Sequence, residues 1–402
     1  MATVDHAPGK NHFDPIGAFM DLTLTAEQQA FRALVRDFLD REVVPHRARW
    51  DRDEGVDTEL LPLMAEIGVF GLTVPEEWGG SAADYLTYAL MMEELGRADS
   101  AVRGIVSVSL GLVATPVATF GTDEQKKQWL TPLAEGRALG CFGLTEPDTG
   151  SDAGQLRSRA ERQGDEYLIN GSKMFITNGS WADVCLLFAR TGGPGPRGIS
   201  AFLVPTAAPG FARREIRGKL GLRGQATAEL TLTDVRVPAS SRLGDEGQGF
   251  SIAMKALDKG RVSVAAGCVG IVQACLDAVV DYARTRTQFG RPIASFQMVQ
   301  DMIAEISVDA DAARLLVWRA VDLIERGEPF GLAATKAKYF ASEAAVRASN
   351  LAIQAFGGYG YVDEYPVQKF MRDARVMTLY EGTSQIQKLL IGRAETGISA
   401  FV

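Results

Sequence analysis

Lys173-Met-Phe-Ile-Thr-Asn-Gly179 lies near the middle of the chain, and its apolar and polar side chains alternate. A period of two is typical of a strand with one buried face, and the pairs Asn178-Gly179 and Asn170-Gly171 favour turns. Similar alternating or β-branched runs surround this stretch, at residues 160–170, 184–190, 199–205 and 229–237. We therefore predict an antiparallel β-domain of roughly a hundred residues here, near the lower end of usual domain size.

On both sides of this β-domain the apolar residues change to a helical spacing. Thr25-Ala-Glu-Gln28 has the form of a capping box, and apolar residues then recur every three or four positions. Helical spacing returns at Phe250 and continues through long segments with few breaks, which favours a bundle. We predict a mainly α protein with a central β-domain, divided into an N-terminal tail (1–20), a helical domain (21–138), the β-domain (139–245) and a helical bundle (246–402).

Composition and charge exclude several classes of protein. The chain has 402 residues and a formal net charge of -8, and phosphate backbones favour a basic partner, so a nucleic-acid binder is not expected. The three histidines are His6, His12 and His46, which leaves the rest of the chain without a Ser-His-Asp triad or a zinc-binding HExxH helix. The four cysteines include no CxxC pair, and no GxGxxG or P-loop motif is present, so we expect neither a metal centre nor a Rossmann unit.

The N-terminal segment from Met1 to Phe19 has neither the apolar core of a signal peptide nor an Arg-rich amphipathic pattern. We expect no stretch of the chain to approach the ~20 apolar residues of a membrane span. From the sequence we therefore expect a cytoplasmic protein without a transmembrane segment.

Three segments combine residue types that carry chemistry. They are Gly143-Leu-Thr-Glu-Pro-Asp-Thr-Gly-Ser-Asp152, the strand Lys173–Gly179, and Leu379-Tyr-Glu-Gly-Thr-Ser-Gln-Ile-Gln387. Each also has a purely structural interpretation. The first is a loop with Asx-turn chemistry, the second a strand with a hairpin turn, and the third a helix start capped by Thr383 or Ser384.

Taken together and in this order, the segments resemble the acyl-CoA dehydrogenase family. The resemblance extends from about Thr23 to Ala400. Its motifs are Pro75-Glu-Glu-Trp-Gly-Gly80, Thr145-Glu-Pro147, Gly150-Ser-Asp152, Phe175-Ile-Thr-Asn178, Thr287-Gln-Phe-Gly-Arg291, Gln354-Ala-Phe-Gly-Gly358 and Tyr380-Glu-Gly-Thr-Ser384. It implies an N-terminal helical domain, a barrel-like antiparallel middle domain and a C-terminal four-helix bundle.

The resemblance also implies an activity, the FAD-dependent conversion of an acyl-CoA to its trans-2-enoyl-CoA, with Glu381 as the base for the α-proton. Such a reaction needs a desolvated base, donors at the developing enolate oxygen and an oxidant that takes the β-hydride. In this family the donors are a flavin hydroxyl and the backbone N–H of the base itself. A minority of members carries the base on the long helix, at the position held here by Gly260, which cannot accept a proton.

For the cofactor, the resemblance implies two sets of contacts. The set from one subunit comprises Phe142, Leu144, Thr145, Gly150, Ser151, Phe175 and Thr177. The set that reaches the FAD of a neighbouring subunit comprises Arg286, Gln288, Phe289, Gln354, Gly357 and Gly358. Thr383 and Gln385 lie at a predicted helix start, which suits a pyrophosphate. Alternatively, Arg286 and its neighbouring arginines only complement a helix C-terminus. The family's usual assembly is a homotetramer, a dimer of dimers.

For the substrate, the resemblance implies contacts from Ser151, Tyr380 and Gly382, and contacts to the CoA arm from Asp258 and Arg261. The last two are three residues apart and share a helix face. A plain ion pair between them is the alternative.

The acyl group is less well defined. The stretch Asp99-Ser-Ala-Val-Arg-Gly-Ile-Val-Ser-Val-Ser109 resembles the glutaryl-CoA dehydrogenase branch, in which an arginine at the Arg103 position meets a distal carboxylate. The stretch from Tyr380 to Gln387 resembles the short- and medium-chain branch. A surface arginine, or one paired with Asp99, is the structural alternative for Arg103. A short or branched acyl-CoA is the leading expectation, and a dicarboxylyl-CoA is the alternative.

Two other classes of function remain open at this point. In the first, the same fold dehydrogenates an acyl group that is bound to a carrier protein. In the second, the fold has no catalytic activity and binds a partner such as DNA. Glu381 and the acidic balance speak against the second. We expect an electron-transfer flavoprotein to accept the electrons.

Overall fold

Helices form both ends of the described chain, residues 22–400 of the computed structural model, and a sheet forms its middle. This order confirms the predicted mainly α fold with a central β-domain, whereas the predicted tail, 1–20, lies outside the described residues. The first helix begins at the predicted capping box, in which the backbone N–H of Gln28 donates to Thr25 Oγ1 over 3.1 Å. The return bond, from the Thr25 N–H to Gln28 Oε1, measures 2.9 Å.

Between residues 22 and 138 the structure has eight α-helices and two π-helical segments. The α-helices are α1 (Ala26–Glu42), α2 (Arg47–Asp53), α3 (Leu60–Glu66), α4 (Tyr85–Ala98), α5 (Ser100–Val106), α6 (Thr115–Phe120), α7 (Asp123–Gln125) and α8 (Thr131–Ala134). The π-helical segments are Ser107–Ala114, which joins α5 to α6, and Lys126–Leu130, which joins α7 to α8.

The middle region is one eight-stranded sheet with the order β6-β7-β3-β2-β4-β5-β8, and β1 pairs with β4 beside this path. Its strands are β1 (Gly140–Gly143), β2 (Arg159–Gln163), β3 (Glu166–Thr177), β4 (Val184–Arg190), β5 (Ile199–Pro205), β6 (Phe211–Glu215), β7 (Thr227–Pro238) and β8 (Arg242–Leu243). Most pairs are antiparallel, as predicted, but β1 and β2 run parallel to β4. Asn170-Gly171 forms no turn, because it lies inside β3 at a bulge opposite β7.

The described part of the C-terminal region, up to residue 400, contains five α-helices and a short hairpin. The helices are α9 (Gly249–Thr285), α10 (Gln297–Glu325), α11 (Gly331–Phe356), α12 (Val367–Met377) and α13 (Ser384–Thr396), and the hairpin strands are β9 (Thr287–Gln288) and β10 (Arg291–Pro292). Helix α9 packs against α10, α11 and the N-terminal α4. It therefore lies in the interior, between the two helical regions.

Within residues 22–400, two helical stretches are long and apolar enough to span a membrane, Ser100–Phe120 and Gly249–Thr285. The expectation that no stretch approaches this length was therefore wrong. In the apolar window of each stretch, 89% and 78% of the residues, respectively, are buried inside the protein. Their apolar composition is thus accounted for by core packing.

Glycines on α9 allow other backbones to approach it closely. A Cβ atom at Gly270 would overlap the carbonyl oxygen of Glu93 and the backbone of Gly96, both on α4. Gly392, on the exposed face of α13, has no neighbouring atom within 4 Å of such a Cβ. The two helical glycines therefore differ in whether an added methyl group can be accommodated.

We expect Gly270→Ala and Gly392→Ala to shift the thermal unfolding midpoint in opposite directions. Overpacking at Gly270 destabilises by about 1–3 kcal/mol, whereas alanine at an exposed helix position stabilises by roughly 0.8–1 kcal/mol over glycine. Thermal unfolding followed by circular dichroism measures both. A rise in the midpoint of Gly270→Ala would contradict the close packing of α4 on α9.

Candidate active site

Glu381 lies in the short loop between α12 and α13, and its backbone is left-handed. Its φ is 51° and that of the following Gly382 is 88°. Lys338 Nζ, on α11, donates to the Gly382 carbonyl over 2.7 Å. The side-chain amide of Gln387, on α13, donates to the carbonyls of Glu381 (3.1 Å) and Gly382 (3.0 Å). Two neighbouring helices thus fix the backbone of this loop.

One oxygen of the Glu381 carboxylate is held away from water. Its Oε2 atom is buried and has no hydrogen-bond partner among residues 22–400. Burial raises the pKa of Glu381 to about 7, against the opposing charges of Arg103, Lys338 and Arg261. A carboxyl group with these properties is half ionised near neutral pH, which suits a general base.

Gly260 on α9 faces this carboxylate. A Cβ atom at Gly260 would overlap Oε2 of Glu381 and approach the side chain of Leu112. The Glu381 carboxylate therefore occupies the space that a side chain at position 260 would need.

Arg103 is buried, with only 2% of its surface exposed. Both structural alternatives for it, a surface arginine and a partner of Asp99, are therefore wrong. The carboxylate of Asp99 instead accepts from the N–H groups at the start of α5 and pairs with Lys369 at 2.8 Å. Helix α5 is buried along its whole length, which carries Arg103 into the interior.

The guanidinium of Arg103 points to the loop of the base. Its Nη2 donates to the hydroxyl of Tyr380 over 2.7 Å, and its charge acts on Glu381. Its Nε and Nη1 are buried without a hydrogen-bond partner in the described part of the chain. Gly267 on α9 makes room for it, because a Cβ there would overlap the Arg103 side chain. A buried cation with unused donors is a binding site for an acceptor.

The segment after β1 is fixed to β3 by hydrogen bonds. The N–H of Met174 donates to the carbonyl of Thr145 over 2.9 Å. Lys173, which is fully buried, donates to the carbonyl of Leu144 (3.2 Å) and to Glu146 (2.8 Å). Glu146 in turn accepts from two backbone N–H groups, those of residues 157 and 158. The structure thus brings together the first and second sequence segments.

The residues in these segments fit a flavin. The Phe175 ring is 67% exposed on a left-handed backbone (φ 60°), so an apolar face is presented to a ligand. The hydroxyl of Thr177 is two residues further along β3 and lies 3.5 Å from Gln225 Oε1. Phe142 packs against Phe188 on the sheet, whereas Gly150 and Ser151 lie in the exposed loop after β1.

The second set of predicted cofactor residues lies together on one surface. A groove of about 990 Å³ is lined by Arg286, Gln288, Phe289, Gln354, Gly357 and Gly358. The ends of α9 and α11 form it, and the Phe289 ring is 93% exposed there. Arg286 is also the C-cap of α9, so its alternative role at a helix C-terminus fits as well. The contact with a neighbouring subunit's FAD stays a prediction.

Two other pairs of predicted site residues have the structural roles that were considered as alternatives, helix capping and an ion pair. Thr383 is the N-cap of α13 and accepts from the N–H of Ile386, while Gln385 is exposed in the first turn. Arg261 forms the i,i+3 ion pair with Asp258, at 2.5 Å. The proposed contacts of these residues with pyrophosphate and CoA stay predictions.

Four residues that organise the site were not singled out as functional from the sequence. Each is a polar side chain with almost no exposed surface: Lys173, Asn178, Lys338 and Gln387. Lys173, Asn178 and Gln387 lie in the segments that combine chemistry-bearing residue types, whereas the signal for Lys338 is a lysine among alanines at helical spacing on α11. Asn178 donates to the carbonyls of Ile105 and Gly140, each over 3.1 Å, and so joins β3 to α5.

Comparisons with known proteins agree with this architecture. The chain matches the acyl-CoA dehydrogenase N-terminal domain over residues 25–137, the middle domain over 141–235 and the C-terminal domain over 247–396. It is 47% identical to a probable acyl-CoA dehydrogenase of Bacillus subtilis, over 93% of this chain and 99% of the relative.

Solved structures superimpose closely on the chain. Butyryl-CoA dehydrogenase of Megasphaera elsdenii gives a TM-score of 0.92 at 41% identity and covers 94% of this chain and 100% of its own. Glutaryl-CoA dehydrogenase of Mycobacterium smegmatis gives 0.90 at 37% identity, with coverage of 94% and 97%.

The fold and the site together define a flavoprotein oxidoreductase whose site carries a carboxylate with a buried oxygen that has no hydrogen-bond partner among residues 22–400. The chain belongs to the acyl-CoA dehydrogenase family, whose members depend on FAD.

We predict that the FAD is held non-covalently, because segments 142–151 and 173–179 contain neither cysteine nor histidine as a point of attachment. The purified protein is expected to be yellow and to release its flavin into the supernatant on acid precipitation. Flavin absorbance that remains with the precipitate would contradict this prediction.

Proposed function

We propose that the protein converts a short or branched acyl-CoA to its trans-2-enoyl-CoA and that Glu381 removes the α-proton. The observation that carries the proposal is the buried Oε2 of Glu381, which has no hydrogen-bond partner within residues 22–400 and lies between three cationic side chains. The small apolar cluster of Val108, Leu112 and Ala256, near this carboxylate, is consistent with an acyl chain.

The residues of the chain divide the work between binding and proton transfer. Ionised Glu381 accepts the α-proton, and exclusion of water keeps its proton affinity high. The backbone N–H of Glu381, on the fixed loop, is the donor proposed for the thioester oxygen. Arg261 and Asp258 hold the CoA arm. Bound FAD supplies the oxidant that takes the β-hydride.

The likeness to a butyryl-CoA dehydrogenase supports a short acyl chain. The likeness to a glutaryl-CoA dehydrogenase, together with Arg103, supports a second candidate. Two buried N–H donors of this guanidinium lack partners in the described part of the chain, and a terminal carboxylate would supply an acceptor and a compensating charge. A dicarboxylyl-CoA dehydrogenase is therefore the alternative function.

Several wider properties belong to the same proposal. They rest on the family resemblance: an electron-transfer flavoprotein as acceptor, a homotetramer, and a place in cytoplasmic β-oxidation. The alternative substrate is a carrier-protein thioester. Assays of one acyl group as its CoA thioester and as its carrier-protein thioester distinguish the two.

Replacing Glu381 by glutamine tests the base. The amide keeps the size of the side chain but cannot accept the α-proton, and general-base catalysis is worth ~10²–10⁴-fold. We expect Glu381→Gln to be folded, yellow and able to bind acyl-CoA, with flavin reduction slowed by at least this factor. Stopped-flow absorbance of the flavin measures the rate. Reduction at nearly the wild-type rate would place the base elsewhere.

Replacing Arg103 by alanine distinguishes the two substrate classes. Loss of one partner of a buried charge pair costs roughly 2–5 kcal/mol, so kcat/KM for glutaryl-CoA is expected to fall by more than tenfold if the carboxylate binds there. The same variant assayed with butyryl-CoA is the control, because the butyryl group has no terminal charge. Equal losses with both substrates would show that Arg103 does not select a carboxylate.

A further inference from the structure

Two buried side chains from different helices converge on the backbone that carries the base. Lys338 and Gln387 have no exposed surface, and both donate to the carbonyl of Gly382. Gln387 also donates to the carbonyl of Glu381 itself. The carbonyl groups of Glu381 and Gly382 are thereby both satisfied by side chains.

The loop needs such support because its conformation is unfavourable. A left-handed backbone at a residue other than glycine costs of order 1–3 kcal/mol and persists only where the surroundings enforce it. Glu381 adopts this conformation, and Gly382 continues it. A Cβ at Gly382 would also overlap the amide of Gln387, so the glycine allows the amide to approach.

A buried lysine is a costly way to satisfy one carbonyl. An apolar side chain of similar volume avoids the desolvation of an ammonium group. The groups that face Lys338 are Cys268 and Arg261 on α9, Glu343 on its own helix, and Glu381. Among these, Glu381 is the acidic group of the site, and its charge and that of Lys338 stabilise each other. This electrostatic effect is what a neutral side chain would not provide.

We propose that Lys338 is a positioning residue for the reaction: with Gln387 it fixes the Glu381–Gly382 backbone so that the carboxylate faces the substrate, and its positive charge keeps that carboxylate ionised. This inference rests on the proposed function of Glu381. It assigns the two side chains different contributions, since Gln387 supplies geometry alone and Lys338 supplies geometry and charge.

The pH dependence follows from the directions of the two effects. Burial lowers the pKa of Lys338 to about 8, which leaves it mostly protonated at pH 7. Its charge lowers the pKa of Glu381, as do Arg103 and Arg261, whereas burial raises it. The hydroxyls of Tyr380 and Tyr88 also face Glu381, but burial raises the pKa of each, so they stay neutral. Removal of the Lys338 charge therefore raises the pKa of Glu381. As the pH is lowered, the rate of the variant then begins to fall at a higher pH than the rate of the wild-type protein.

The experiment compares Lys338→Met, Lys338→Arg and Gln387→Leu as FAD-containing proteins. The control is Lys336→Met, on the same helix, because Lys336 is a partly exposed partner of Glu395. One readout is flavin reduction against pH. The other is exchange of the α-protons of acetyl-CoA with D2O, followed by NMR. Acetyl-CoA has no β-carbon and cannot be dehydrogenated, so this exchange reports the base alone.

The acidic limb of each pH profile is the range in which the rate falls because Glu381 becomes protonated, and the plateau is the constant rate above it. In Lys338→Met we expect the acidic limb to move up by about one pH unit. We expect the plateau rate to fall by up to ~10²-fold, the effect of a misplacement of about 1 Å. Gln387→Leu lowers the plateau and leaves the limb in place. Lys338→Arg keeps the limb at the wild-type pH, and Lys336→Met changes neither quantity.

An unmoved limb in yellow, folded Lys338→Met overturns the proposal. If this variant does not fold, an upward shift of the limb in Lys338→Arg, or a wild-type plateau in Gln387→Leu, overturns it instead. Failure of the proposed function looks different. In that case the wild-type protein exchanges no α-protons and its flavin is not reduced by any acyl-CoA, whatever the variants do.

Discussion

The close approach of other elements to α9 is the constraint on which the rest of the structure depends. Three positions on this helix lack side chains where something else must pass. Gly270 admits the backbone of α4, Gly267 admits the side chain of Arg103, and Gly260 admits the carboxylate of Glu381. Packing of the helical regions and formation of the site thus use the same residue type along one helix. A single added methyl group at any of the three meets another part of the protein.

The fold could be predicted where the hydrophobic period is strong. The bounds of β4 and β5 agree with the runs identified in the sequence, because each run is bounded by turn residues. The sequence did not reveal that residues 160–170 divide between β2 and β3, because the two strands have the same alternation and the turn at Gly164 is short. It also did not reveal α12, which is only 11 residues long. Bulges such as the one at Gly171 come from pairing with β7, which is non-local.

The site was predicted in part, through motifs, and the remainder depended on burial. The loop of Glu381 could be identified because acidic, glycine and hydroxyl residues precede a helix. The environment of Arg103 could not, because an arginine near an aspartate in the sequence looks like a surface pair. Lys338 and Lys173 share this difficulty, since a lysine is exposed in most proteins. Only the three-dimensional packing shows that both lysines are buried and donate to backbone carbonyls.

Asn178 has a consequence for how the molecule opens. Its buried amide joins the end of β3 to the carbonyls of Ile105, on α5, and Gly140, on β1. A hinge between the sheet and the N-terminal helices at this point would leave two carbonyls and an amide unsatisfied in the interior, at roughly 1–3 kcal/mol for each group. Rigid-body opening along this seam is therefore disfavoured. Motions of the protein are therefore expected to leave the contact between the sheet and the N-terminal helices in place.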